Sequence, residues 1–170
     1  MHGADVHARD QSQSTPLHLA SSGEWNAETA LLLIMHGADV HTQNKDQSTP
    51  LHIASSSPSW RPASKDTVRL LIEHGANVNA YDKNHQTPLH RLSSCRDPNA
   101  DSLRLLLENG ADVDVEDNKD FTPFQIASAK GHHKIAQLLL DHRARVVSGN
   151  TLPAYISFAD TDPETNSVLD

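Results

Sequence analysis

Twelve histidines and 22 carboxylates on a 170-residue chain carry most of the chemistry the sequence could perform. Their spacing decides whether they perform it. A zinc site would need a His-Glu-x-x-His pair, a Cys-x-x-Cys pair or a Cys/His quartet at ligand spacing, and none occurs. His132 and His133 are adjacent, so from a helix they would point in different directions. The single cysteine, Cys95, cannot form an internal disulfide; it reads as an inert, partly covered thiol in a helix-connecting loop, the redox-site reading being the rarer one. Nucleophilic catalysis and phosphate chemistry lack their motifs: there is no G-x-S-x-G elbow, no phosphate-binding glycine loop and no kinase signature. Glu116 and Asp117 stand side by side in a stretch that reads as a polar loop tip. No metal, cofactor or catalytic residue is expected.

The elements that position these side chains are repeated. Thr-Pro-Leu-His occurs at Thr15 to His18, Thr49 to His52 and Thr87 to His90, and it decays to Thr-Pro-Phe-Gln at Thr122 to Gln125. The intervals from one Thr to the next are 34, 38 and 35 residues. Each Thr can cap a helix by accepting a free backbone N–H, and the following proline suits the first helical position because its missing N–H was not needed there. A second apolar segment follows in each unit: Ala30 to Ile34, Val68 to Ile72, Leu103 to Leu107 and Ile135 to Leu140. The first three end at Gly37, Gly75 and Gly110, where a left-handed residue can close the helix. The unit is helix, turn, helix, glycine stop, then an extended loop into the next Thr. Neither helix can bury its apolar face alone, so the units must stack.

Composition agrees. With 36% apolar but only 4% aromatic residues, the core must be built from Leu, Ile, Val and Ala, which suits thin, quasi-one-dimensional stacking. A net charge of −8 speaks against non-specific phosphate binding, for which a basic stripe is the usual footprint, and favours a basic or neutral partner. The sequence shows no secretory leader and no apolar run long enough to span a bilayer. With one cysteine, it reads as an intracellular chain, cytoplasmic or nuclear.

The Thr-Pro-Leu-His phrase, standing twelve residues after a Gly-Ala-Asp/Asn-Val such as Gly37 to Val40, resembles the signature of ankyrin-repeat proteins, whose period is about 33 residues. The resemblance runs from end to end. It implies an all-α solenoid of helix-turn-helix units with hairpin-like connecting loops, in which loops and first helices form a concave face that carries recognition. Matched residue by residue, that face comprises Arg9, Gln11, Ser12 and Ser14; Gln43, Lys45, Asp46 and Ser48; Tyr81, Lys83, Asn84 and Gln86; Glu116, Asn118, Lys119 and Phe121. On the helix side it continues to Ser56, Ser57, Ser94, Cys95, Ala129 and Lys130. Tyr81 and Phe121 are its aromatic anchors, unless Phe121 packs on the neighbouring loop. The resemblance also makes His18, His52 and His90 structural, bonding backbone and Thr hydroxyl across the turn, and it puts His132 at the start of a second helix. His36, His74 and His142 fall in the last turn of second helices, where the helix dipole favours the imidazolium. Asn79 resembles an asparagine that some family members have hydroxylated, although an unmodified structural asparagine is the ordinary case.

Departures from the pattern matter as much. The glycine expected two residues before each Thr is replaced by Gln13, Gln47, His85 and Asp120; Asn, Asp and His tolerate positive φ better than Gln does, so the loops of Gln13 and Gln47 are expected to turn differently. Length variation falls between the two helices, above all in the Ser/Pro-rich insertion Ser55 to Ser64 with its lone Trp60. Trp25 lies in the corresponding turn one unit earlier. The two tryptophans either form an apolar patch at the edge of the stack or each plug their own helix pair.

The array is read as 1–147: a partial unit 1–8, then repeats starting near Arg9, Gln43, Tyr81 and Glu116. Met1 to Val6 duplicates Met35 to Val40, so the first unit lacks outer helices, Leu17 and Leu32 are expected to be under-protected, and uncapped ends are expected to favour self-association. Residues 148–170 form a degenerate fifth repeat or a tail. The functional expectation is a non-catalytic module that binds a partner protein, with no nucleic acid or membrane. Docking against other domains of a longer protein is the second reading, and enzyme the third.

Overall fold

The computed structural model describes residues 5–22, 27–56 and 65–147. Trp25, Ser57, Trp60 and the whole of 148–170 lie outside them, and so do the expectations resting on those residues. Among the described residues there are eight α-helices and no strand: α1 Pro16–Ala20, α2 Ala27–Met35, α3 Pro50–Ser55, α4 Lys65–Glu73, α5 Pro88–Ser94, α6 Ala100–Glu108, α7 Pro123–Ala129 and α8 His133–Val147. First helices pack in one row, α1 on α3, α3 on α5, α5 on α7; second helices pack in another, α2 on α4, α4 on α6, α6 on α8.

Each first helix starts where the sequence requires. Thr15, Thr49, Thr87 and Thr122 are extended N-caps followed by proline, and all four close a reciprocal capping box. The third helical residue, which completes the box, is His in three repeats and Gln125 in the fourth. His18 Nδ1 accepts the Thr15 N–H at 3.2 Å and lies 2.9 Å from its Oγ1; His52 and His90 repeat this geometry on Thr49 and Thr87. With Nδ1 accepting, the proton sits on Nε2. That N–H then donates into the next repeat, His18 to the Ser48 carbonyl at 2.9 Å, His52 to Gln86 at 2.9 Å and His90 to Phe121 at 3.1 Å. One ring therefore caps its own helix and ties two units together.

Second helices stop at glycine. Gly37, Gly75 and Gly110 have φ of +92°, +85° and +82°, and the N–H of the following alanine reaches back five residues, Ala38 to Leu33, Ala76 to Leu71 and Ala111 to Leu106. That bond satisfies an otherwise orphan carbonyl. In the fourth repeat the motif moves to the first helix, where Gly131 has φ +75° and the His132 N–H bonds the Ala127 carbonyl. Nothing then stops α8, which runs through Arg143 to Val147. His142 consequently does not sit in a last turn. Burial, and then the charge of Arg145, lower its pKa, the reverse of the shift expected from a helix dipole.

The core is aliphatic throughout. Leu17, Leu51, Leu71, Leu89, Leu92, Leu103 and Leu106 are fully buried, whereas Tyr81 and Phe121 are exposed. Leu17 thus corrects the expectation of an under-protected residue: it is fully buried in the aliphatic core, on a helix that packs on α2 and α3. Leu32 does remain open, at 52% exposure, with Leu19 at 51%. Leu70, Leu105 and Leu138, the counterparts of Leu32 in later repeats, are half-buried.

The loops also correct an expectation. Gln13, Gln47, His85 and Asp120 all adopt the left-handed conformation, with φ between 55° and 60°, so the glutamine loops turn as the others do. In each case the N–H of this residue bonds the carbonyl three residues earlier, at Asp10, Asn44, Asp82 and Asp117.

Two outcomes follow. A left-handed glutamine is strained, so Gln13→Gly and Gln47→Gly should each raise stability by roughly 0.5–1 kcal/mol in urea unfolding, strain relief exceeding the entropic cost of glycine. Burial lowers the pKa of His18, His52 and His90 against their carbonyl bonds. Their unfolded value is about 6.5, so between the two pKa values the unfolded chain binds more protons. Stability from these rings is complete above about pH 7.5 and declines as pH falls below about 6.5, until it is gone below their lowered folded values. His52→Gln should cost about 1 kcal/mol at neutral pH through the lost bond to Gln86, and it should flatten the decline measured between about pH 7.5 and 5.

Candidate interaction surface

The loop before each capping threonine is folded by one side chain. Asp10 Oδ1 accepts the N–H groups of Ser12 and Ser14, both at 2.8 Å. Asn44 does the same for Asp46 and Ser48, Asp82 for Asn84 and Gln86, and Asp117 for Lys119 and Phe121. A backbone bond closes each loop, for example Asp82 N–H to the Gln86 carbonyl at 3.0 Å. The carboxylate or amide oxygen is inside and the tip residues are thrown outward.

Neighbouring tips are then bonded to each other. Lys45 N–H donates to the Ser12 carbonyl, Lys83 N–H to Asp46 and Asn118 N–H to Asn84, at 2.9, 2.9 and 3.0 Å. Side chains add to this ladder. Arg9 reaches the Gln43 carbonyl at 3.1 Å, His85 Nδ1 the Glu116 carbonyl at 2.9 Å, and Asn118 the Lys83 carbonyl at 3.2 Å. Farther back, Asn79 donates to the Gly110 carbonyl and accepts the Asp112 N–H, both at 2.9 Å. Asn79 thus has a structural role, both ends of its amide being used.

Of the sixteen loop positions matched to the recognition face, thirteen are exposed: Arg9, Gln11, Ser12, Gln43, Lys45, Asp46, Tyr81, Lys83, Asn84, Glu116, Asn118, Lys119 and Phe121. The ladder brings them into one row of tips. Ser14 and Gln86 are half-buried, and Ser48 is buried, its carbonyl taken by His18, which removes it from the surface set. The helix-side positions divide. Ala129 and Lys130 are exposed and Ser56 and Ser94 half-buried, but Cys95 is buried and its thiol donates to the Leu92 carbonyl at 3.1 Å. It caps α5 from inside, which removes it from the surface set. The Tyr81 ring is stacked on His85, centroids 4.0 Å apart and 4° from parallel. Since His85 is itself bonded to Glu116, the aromatic is held in place before anything binds. Each loop carries one cation, Arg9, Lys45, Lys83 or Lys119; Lys83 pairs with Asp46 at 2.6 Å and holds that carboxyl below its ordinary pKa. As both partners are half-exposed, this pair adds little stability.

Sequence reasoning missed the ion pair beneath the tips. Arg91 contacts Asp82 Oδ2 through Nε at 2.9 Å and Nη2 at 2.6 Å. The Asp82 side chain is fully buried and the guanidinium mostly covered. Arg91 Nη2 also lies 3.5 Å from Ser48 Oγ in the preceding loop. The available signal was a break in pattern, since Leu19, Ile53 and Ile126 occupy the position of Arg91 in the other repeats. At the next loop Gln86 donates to Asp117 Oδ2 at 2.8 Å. Burial alone would raise the Asp117 pKa, but bonds from Gln86, Lys119 and Phe121 outweigh it and lower it.

Among the described residues no three His, Cys, Asp or Glu side chains gather as a metal site, and no helix is long and apolar enough to cross a membrane. His36 and His74, exposed, bond back to the carbonyls of Leu32 and Leu70 at 2.7 and 2.8 Å, which places the proton on Nδ1. His132 precedes α8 and is half-buried.

Compared with protein families, the chain matches the model described as ankyrin repeats, three copies, over residues 1–82 and 63–150. No curated protein matches it.

The buried pair yields a graded expectation. Asp82→Ala removes the loop's folding oxygen and leaves Arg91 unpaired, so it should cost about 2–4 kcal/mol in denaturant unfolding. Asp82→Asn keeps the amide acceptor that Asn44 already uses in the second repeat and should cost about 1 kcal/mol. Equal losses in the two variants would mean that the charge, and not the turn, carries the loop.

Proposed function

The chain belongs to the ankyrin-repeat family, and from that premise we propose that it is a non-catalytic module that binds a partner protein on the face made by its loop tips and first helices. Ankyrin repeats are generally protein-interaction modules, and the fold is typically non-catalytic. What supports the finer reading is one observation. The exposed tips are tied to one another by backbone bonds, so a row of polar and aromatic side chains is presented with little ordering left to do on binding.

Contact chemistry follows from local rather than net charge. Along the tips the cations Arg9, Lys45, Lys83 and Lys119 are interspersed with the exposed carboxylates of Asp46, Glu116 and Asp120, so the row is mixed in charge and the segment in contact with it is polar, bearing donors and acceptors of both signs. Tyr81 and Phe121, 41% and 46% exposed, are the anchors, amphipathic or apolar rings of the type that dominates interface energies. The pairing of Tyr81 with His85 favours it as the more rigid of the two.

The test separates binding from folding. Once a partner is in hand, Tyr81→Ala and Phe121→Ala should each weaken binding by roughly 1–3 kcal/mol in calorimetric titration. Phe121→Ala should leave the unfolding midpoint nearly unchanged, because its backbone carbonyl, which His90 uses, is kept. Thr87→Ala should do the opposite, costing about 1 kcal/mol of stability through the lost cap while the contact residues stay in place. Unchanged affinity in the Tyr81→Ala/Phe121→Ala double variant would move the site to another face.

A further inference from the structure

The second helices are alike except one. In α4, α6 and α8 the position six residues before the glycine stop, or before Arg143 in its place, is polar: Arg69, Arg104 and Gln137, all exposed. In α2 it is Leu31. Two residues before the stop, α4, α6 and α8 carry Glu73, Glu108 and Asp141, whereas α2 carries Met35, which is 72% exposed. Leu31 and Met35 are four apart and share a helix face. This apolar face is not a shared feature of the stacking positions. Leu19 and Leu32 have half-buried apolar counterparts in later repeats, where a preceding repeat covers them, whereas the counterparts of Leu31 and Met35 are polar in α4, α6 and α8 alike.

Leu31 opens into a groove between α2 and α4 with a volume of about 220 Å³, on the row of second helices and so away from the loop tips. That is small against the ~300–1,000 Å³ of small-molecule sites, and it suits one or two apolar side chains of a macromolecule. Half-buried Leu31 and Leu70 supply its apolar lining. Around them stand exposed Glu28, Asp66 and Glu73 against one exposed cation, Arg69. Apolar within and acidic around, the groove is complementary to a helix with an apolar stripe flanked by basic residues. A second copy of this chain would bring the same carboxylates to the contact and be repelled.

We propose that the α2–α4 groove, extended by Met35, is a second docking site, independent of the loop face, for an amphipathic helix with basic flanks. A displayed library of amphipathic helices, apolar along one stripe and randomised on both flanks, tests this against the full chain. Selected helices should carry Lys or Arg on the flanks and shift the backbone amide resonances of 27–35 and 65–73. They should bind the Leu31→Arg/Met35→Glu variant about tenfold or more weakly, as the loss of two apolar anchors implies. That variant carries the residue types its sister helices already expose, so its helical signal and melting should match the parent. Glu28→Lys/Asp66→Lys should turn the selection toward acidic flanks. Several outcomes overturn the proposal: selected helices with neutral or acidic flanks on the parent chain, undiminished binding to the double variant, or a library that yields nothing mapping to the groove. A dimer in sedimentation that Leu31→Arg abolishes would give the site to a second copy. Binding that appears only after Trp60→Ser would give it to the chain's own 57–64 segment. Either result rejects the helix partner.

Discussion

A neutral imidazole with one proton and two obligations holds this stack together. Because Nδ1 must accept from the capping threonine, the proton is forced onto Nε2, and Nε2–H then needs an acceptor that only the next repeat can supply, at Ser48, Gln86 or Phe121. Buried polar groups must find partners, so the position of the next loop is dictated as strictly as the start of the helix. The same logic explains why these rings have no place in metal or acid–base chemistry: both nitrogens are committed, and each ring is almost wholly buried. At Gln125 the device ends. Its amide oxygen satisfies Thr122, and the inter-repeat donor of the histidine is not part of the pattern.

The loops depend on that spacing. A left-handed glutamine is unfavourable by itself, yet Gln13 and Gln47 adopt it because each loop is pinned on three sides: by the Asx oxygen within, by the backbone bond that closes it, and by the tip of the neighbouring loop. This is why the loop shape was the least legible feature. Local preference, the only information a single residue type carries, spoke against it, and the deciding interactions lie one repeat away. Helix starts and stops were legible for the opposite reason. Thr-Pro and Gly act on their own backbone, within a few residues. The extension of α8 shows the rule once more, since the absence of a stop glycine at Arg143 was visible, but its consequence was a longer helix and not a new loop.

Of the candidate surface, what was legible is the exposure of the loop tips, because the alternation of an inward Asx side chain and outward neighbours repeats in every unit. What was not legible is how the tips are braced. Arg91 interrupts an apolar position, and its meaning appears only when the buried carboxylate of Asp82 is seen beneath it. Cys95 was misplaced because a residue at a helix end reads as exposed, while its thiol turns inward to a carbonyl of its own helix.

Bracing is also uneven along the stack. Among the described residues the first and second repeats are joined by His18, Arg9 and one bond between loop tips. The third and fourth are joined by His90, His85, the Gln86 to Asp117 bond and two bonds from Asn118, and the second and third by His52, Lys83 and both ends of Asn79. In a quasi-one-dimensional array, stability is the sum of unit and nearest-interface contributions, so opening proceeds most readily where the interface is poorest. The two aromatic anchors, Tyr81 and Phe121, sit on the loops of the better-braced third and fourth repeats. The apolar face of α2 lies in the repeat with the poorest interface. A partner at the loop tips therefore meets a surface that is already ordered, whereas one that covers α2 would add an interface where the stack has least, and its binding would be coupled to the folding of the first repeat.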